Sequence, residues 1–132
     1  MDNKKVLVVD DDPLIVEILK KGLEMAGFLV STATSYAQVK DVLSKIIPDA
    51  ILMDINIPGV DGISLCREIR FAPETSEVPI IMLTAFSDDK TYHDAMLFGA
   101  TDYITKPFEM RDVVSKVTSS ISKLKQKKDA KK

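Results

Sequence analysis

Asp10, Asp11 and Asp12 close the run KKVLVV, Asp54 closes AILM, Thr84 closes PIIML, and Lys106 follows TDYIT. Each stands where a short, strongly apolar run stops. Gathered in one place, they would offer carboxylates, a hydroxyl and an ammonium to a divalent cation and a phosphoryl group. Magnesium suits such a set, because carboxylate, carbonyl and water are hard oxygen ligands. Neither paired histidines nor a cysteine cluster argues for zinc. Three neighbouring carboxylates repel one another and titrate as a coupled set, so full ionisation is costly until a cation arrives. Asp12 precedes Pro13 and reads as a helix cap. Asp54 precedes a Pro-Gly turn instead, and reads as a candidate nucleophile toward a phosphoryl donor.

The elements that would position these residues alternate along the chain. Val6–Val9, continuously apolar and β-branched, reads as a strand covered on both faces. A helix follows from Pro13, with Ile15, Ile18, Leu19 and Leu23 on one side and Gly27 as its stop. Phe28–Thr32 is the second strand. Tyr36–Ile46 is the second helix, ending before Pro48. Ala50–Met53 delivers Asp54, the loop INIPGVDG leads to a helix over Ile63–Arg70, and Pro79–Leu83 is the fourth strand. A further helix from Asp88, carrying Tyr92, Ala95 and Met96, is expected to stop at Gly99. Thr101–Ile104 is the fifth strand, and Val113, Val114, Val117 and Ile121 mark the buried side of a long final helix. Five strands alternating with five helices predict an α/β fold, a parallel sheet covered on both faces. The carboxyl ends of parallel strands share an edge, where Asp10, Asp11, Asp54, Thr84 and Lys106 would meet.

A chain of 132 residues suits one domain with one core, and its apolar share of 45% is ordinary for a globular protein. No apolar run is long enough to cross a bilayer, so membrane insertion is not expected. The N-terminus meets acid within its first apolar run, unlike a signal peptide. A single cysteine, Cys66, excludes an internal disulfide and fits a reducing cytoplasm. Residues 1–122 hold 12 Lys or Arg against 19 Asp or Glu, a net charge of −7, whereas residues 123–132 hold six lysines and one aspartate, a net charge of +5. The expected division is a body over 1–122 and a lysine-rich tail or linker start over 123–132. An acidic body is a poor nucleic-acid ligand. Neither a P-loop nor a GxGxxG pattern occurs.

VLVVDDD at 6–12, ILMDINIPGVDGISL at 51–65, PIIMLTA at 79–85 and GATDYITKPF at 99–108 occur in order. With them, the chain over 4–122 resembles the receiver domain of two-component response regulators, in a stand-alone or output-lacking form. The resemblance implies a doubly wound, three-layer, flavodoxin-like arrangement and reversible phosphorylation of one aspartate. The donor would be a histidine kinase or a histidine phosphotransfer protein. Asp54 resembles the phosphoacceptor and Asp11 the direct Mg2+ ligand, with Asp10 acting through water and the main-chain carbonyl of Asn56 completing the protein ligands. Thr84 resembles the hydroxyl donor to the phosphoryl group, and Lys106 the cation paired with Asp54 or its phosphate. Pro107 resembles the family proline preceded by a cis peptide bond. Taken alone, Thr84 reads equally as an ordinary strand residue and Lys106 as a solubilising charge.

The resemblance also implies a switch. Tyr103 resembles the aromatic that turns inward when Thr84 moves toward the phosphoryl group, and the readout face would be the fourth helix, fifth strand and fifth helix, presented to a downstream protein effector. Phe86, two residues beyond Thr84, is expected to obstruct the water that removes the phosphoryl group. Lys90, Asp102, Asp112 and Lys116 could pair two receivers symmetrically. Thr101 and RDVVSKV depart from the pattern of receivers that do so, leaving a monomer and a phosphorylation-favoured homodimer both open. A magnesium-dependent phosphatase would need a second aspartate two places after its nucleophile, where this chain has Asn56, and turnover of an external substrate is not expected. A DNA-binding regulator would need a recognition helix that residues 1–132 lack. His93 reads as a surface residue and Cys66 as a buried thiol.

Overall fold

The computed structural model describes residues 3–84, 93, 96, 97 and 99–130, the last two of these for their backbone only. Five strands form one parallel sheet: β1 (Lys5–Val9), β2 (Leu29–Ala33), β3 (Ala50–Asp54), β6 (Ile80–Thr84) and β7 (Asp102–Thr105), in the order β2-β1-β3-β6-β7. The order reverses at β1, so the crevice above β1 and β3 is where strand ends and following loops diverge. Between β3 and β6 lie a two-stranded hairpin, β4 (Asn56–Ile57) and β5 (Val60–Asp61), and a 3-10 turn at Pro73–Thr75. The segment INIPGVDG, read as a plain loop over 55–62, therefore contains an antiparallel pair, Asn56 opposite Asp61 and Ile57 opposite Val60, turning through Pro58-Gly59.

The described residues contain four α-helices: α1 (Pro13–Met25), α2 (Tyr36–Lys45), α3 (Gly62–Phe71) and α4 (Met110–Ala130). The expected count of five is corrected to four. The additional helix rested on one apolar trio, a weak amphipathic signal beside those of the others. Of that trio Tyr92 and Ala95, like Asp88 at its start, lie outside the described residues. Three layers remain, because the strands alternate. Leu7, Val9, Ile51, Met53, Ile80 and Met82 meet Val39 of α2 and Leu65, Cys66 and Ile69 of α3 on one face. Val6, Val8, Leu52, Ile81, Leu83 and Ile104 meet Leu19 and Leu23 of α1 and Val113 and Val117 of α4 on the other. Two buried faces explain why Val6–Val9 carries no polar residue at all.

Helix starts are set by side chains that satisfy otherwise orphaned N–H groups. Asp12 accepts from Leu14, Ser35 from Gln38 and Asp61 from Ile63. The final helix runs without a break across residue 122 to Ala130. Among the described residues no helix is long and apolar enough to cross a membrane.

Candidate functional site

The three leading aspartates divide their work by position. Asp10 stays on the ladder one step past β1, its N–H donating to the Ala33 carbonyl at 3.2 Å. Its side chain is fully buried, and Asp10 Oδ1 accepts the Asp12 N–H at 3.0 Å while Oδ2 accepts the Lys106 ammonium at 2.8 Å. A carboxylate without water needs such partners. Asp12 turns to the helix and caps it, its Oδ1 accepting from Leu14 at 3.0 Å. Asp11 is exposed, yet Asp10, Asp11 and Asp54 each bring a carboxylate oxygen within 4.8 Å of the other two. Hard oxygen donors at that spacing suit a divalent ion of the magnesium type.

Asp54 reaches the same edge at the end of β3, where it pairs with Leu83 of β6. Only 8% of it is exposed. Its Oδ1 accepts the Asn56 N–H and its Oδ2 the Lys106 ammonium, each at 3.1 Å. Burial pushes its pKa above the ordinary carboxylate value, with the charge of Asp10 adding to the rise and the donors Asn56 and Lys106 opposing it. Below it the hairpin folds back tightly, the Gly62 N–H donating to the Ile55 carbonyl at 2.8 Å. A Cβ at Gly62 would run into that same carbonyl, so only glycine permits this closure. An open depression of about 300 Å³ beside the carboxylates is lined by Asp11, Asn56, Pro58 and Asp61 among others.

Lys106 is placed by the edge of the sheet, its N–H donating to the Thr84 carbonyl at 2.7 Å. The bond from Lys106 to Pro107 is cis. Burial alone would lower the pKa of this ammonium, but the hydrogen bonds and charges of Asp10 and Asp54 hold it above the usual lysine value. Thr84 is half-buried at the same edge, opposite Thr105. Asp10, Asp11, Asp54 and Lys106 are thus brought together, with Thr84 at the adjoining strand end. Asn56 contributes its N–H to Asp54. The sequence reading missed that Lys106 lies nearer Asp10 than Asp54; the signal available was Asp10 itself, an acid in a run too apolar to hydrate it.

Tyr103 is half-buried, opposite Met82, and packs against the core on the α2–α3 face. The Lys116 ammonium lies 6.0 Å from its ring centroid and pairs with Asp102 at 3.1 Å. Two of the four charges considered for pairing between chains therefore meet within one chain. Asp112 and His93 are exposed and Cys66 is buried; Phe86 and Lys90 lie outside the described residues.

Residues 6–118 match the response regulator receiver domain family. The phosphate regulon transcriptional regulatory protein PhoB of Rhizobium meliloti is 36% identical over 121 residues, 92% of this chain and 53% of that protein. The chain thus spans about half the length of the curated relatives it matches. Among solved structures, the receiver domain of the sensor histidine kinase PA1611 from Pseudomonas aeruginosa, with a magnesium ion coordinated in its active site cleft, is 30% identical at a TM-score of 0.83, covering 92% of this chain and 99% of that one. The chemotaxis response regulator CheY4 of Vibrio cholerae is 27% identical at a TM-score of 0.86, covering 90% and 99%.

Proposed function

We propose, from the premise that this chain belongs to the response regulator receiver domain family, that Asp54 is the residue on which it is phosphorylated. The chain is a phosphorylation-controlled receiver domain, which acts on its own aspartate rather than turning over an external substrate. The observation that carries the assignment is the place of Asp54: nearly buried, within reach of two further carboxylates and one ammonium.

In the proposed transfer, an Asp54 carboxylate oxygen attacks phosphorus of a phosphohistidine on a kinase or phosphotransfer protein. A P–O bond forms, the P–N bond breaks, and its electron pair returns to the imidazole, which takes up a proton. A bound magnesium ion, held by Asp10, Asp11 and Asp54, would neutralise charge on the incoming phosphoryl group. The Asn56 N–H fixes the plane of the attacking carboxylate. Lys106 stays beside the product, which carries roughly one more negative charge than the carboxylate it replaces. Thr84 is assigned as the hydroxyl donor to that product and Tyr103 as the aromatic that responds, with a downstream protein reading the face around β7 and α4. Action in the cytoplasm is part of the same proposal.

Intact-protein mass after incubation with acetyl phosphate tests the assignment. One magnesium-dependent phosphoryl adduct, absent in Asp54→Ala, is expected. An adduct of equal yield in the variant would overturn the choice of Asp54.

A further inference from the structure

At the end of β7 remote from the carboxylates, a second half-buried cation is built into the fold. Arg70, in the last turn of α3, donates from Nε to the Gly99 carbonyl at 2.8 Å. Its Nη1 donates to the carbonyls of Val78 at 2.5 Å, Thr75 at 3.3 Å and Ser76 at 3.4 Å, and its Nη2 to the Thr101 hydroxyl at 3.3 Å. Burial pushes its pKa below the ordinary arginine value, and among the described residues no carboxylate pairs with it. A charge kept in such a place is retained through its hydrogen bonds, and these join α3 to two other stretches of the chain, 75–78 and 99–101.

Those stretches are the ones that start β6 and β7. Thr101 is the lowest rung of the pair: its N–H donates to the Ile80 carbonyl at 2.7 Å, and its hydroxyl accepts the Ile80 N–H at 3.1 Å as well as the guanidinium. Gly99, at φ +111°, lets the chain pass against the arginine stem; a Cβ there would stand 2.5 Å from Arg70 Cγ. β7 itself has four residues and lies at the edge of the sheet, paired with β6 alone. Ile104 and Tyr103 favour this register from the middle of the strand, the Arg70 contacts hold its start, and a slip of one residue would move the chain by roughly 3.3 Å. A displacement of that size would take the Lys106 ammonium out of reach of Asp10 and Asp54, which it now meets at 2.8 and 3.1 Å.

We infer that Arg70 is a positioning residue for the phosphorylation site: by pinning Gly99 and Thr101 it sets the register of β7 and so the height at which Lys106 enters the carboxylate cluster. Arginine suits the role because a planar fork fixes several acceptors at once, which a lysine cannot do. The inference rests on the reading of Lys106 as part of the phosphorylation site, while its structural half stands independently.

Two measurements on the full chain decide it. Amide hydrogen exchange is followed at Thr101 and Lys106, whose N–H groups bond Ile80 and Thr84, and at Asp10, whose N–H bonds Ala33. Arg70→Met is expected to accelerate exchange at Thr101 and Lys106 at least tenfold more than at Asp10, with Arg70→Lys intermediate. Leu23→Ala, a core truncation in α1, is expected to accelerate all three alike. Phosphorylation by acetyl phosphate in saturating magnesium should slow at least fivefold in Arg70→Met and stay unchanged in folded Leu23→Ala. Uniform acceleration in Arg70→Met overturns the inference, and so does local loosening with an unchanged phosphorylation rate. Should Arg70→Met fail to fold, Gly99→Ala strains the same junction with the guanidinium retained and must give the same local pattern. If the parent chain itself takes no phosphoryl group, the assignment of Asp54 falls, and exchange alone decides whether Arg70 sets the register.

Discussion

The two ends of β7 hold a cation each, and their surroundings differ in kind. Lys106 faces carboxylates, which raise its pKa against the effect of burial. Arg70 faces carbonyls and a hydroxyl, and burial prevails, lowering its pKa. Carboxylates can be neutralised, bound by a metal or phosphorylated, so the Lys106 contact is one that chemistry can change. Backbone carbonyls have no such alternative state. One end of the strand is thus responsive and the other fixed, an arrangement in which a local charge can act on a defined lever.

The contrast is broken most severely at the fixed end. Arg70→Met removes a charged donor set from several carbonyls at once, among them that of nearly buried Val78. A loss of about 3 kcal/mol is expected, the scale of hydrogen bonds to a charged group in a buried setting. Urea unfolding in EDTA and in excess MgCl2 should give most of the same loss, magnesium recovering only the share that comes from a displaced Lys106. A loss that magnesium repairs in full would place Arg70 among the responsive contacts.

Lys106→Met leaves Asp10 and Asp54 facing each other without a cation. About 2 kcal/mol should be lost in EDTA, less than for a fully enclosed pair, since Lys106 retains some contact with water. Magnesium should narrow the gap, because carboxylates freed of the ammonium bind a cation more tightly than those of the parent, and an ion that binds only the folded state stabilises it by roughly 2.7 kcal/mol at a hundred times its dissociation constant. The same titration, which should repair little of the Arg70→Met loss, therefore separates the two cations. An equal deficit with and without magnesium would show that Lys106 is as structural as Arg70.

Asp54→Asn should change stability in the opposite direction. The folded protein holds this carboxyl above its ordinary pKa, mainly through burial. A carboxyl so raised contributes stability below its unfolded pKa and loses it as pH rises through the folded pKa. The asparagine variant should accordingly gain on the parent from acid toward neutral pH, reaching about 1 kcal/mol near pH 7 in EDTA, the scale of substitutions that relieve a functional site. Excess magnesium should reverse the order by favouring the parent. Thermal unfolding across pH 4 to 8 reads both effects, and a variant less stable than the metal-free parent at pH 7 would refute the sign.

The same contrast explains what could be read from the sequence. Lys106 is legible because its partners are residue types: aspartates that end apolar runs, and a proline behind it. β1 and β3 are legible because an apolar run without alternation must be covered on both faces, and Asp12-Pro13 because a cap is a local device. Arg70 is not, since its partners are carbonyls, which every residue carries. In SLCREIR it looks like a basic residue favoured near a helix C-terminus. The 56–61 hairpin was hidden for a similar reason. Its two short strands have no room to display a period of two, and only Pro58-Gly59 announces a turn. The helix expected from Asp88 depended on a single apolar trio, most of which lies outside the described residues.

The smallest expected effect lies beside β7, where Lys116 pairs with Asp102 and stands 6.0 Å from the Tyr103 ring centroid. The two side chains are 39% and 37% exposed, so water and salt screen them. A double-mutant cycle of Lys116→Met with Asp102→Asn should give a coupling below about 1 kcal/mol, shrinking in 0.5 M NaCl. Weakness is what the proposed readout face requires: a pair that costs little to open would let Tyr103 and its neighbours rearrange when the charge at Asp54 changes. A coupling above about 2 kcal/mol, insensitive to salt, would mean that this edge of β7 is locked as firmly as its Arg70 end, and the responsive part of the strand would then be confined to Lys106.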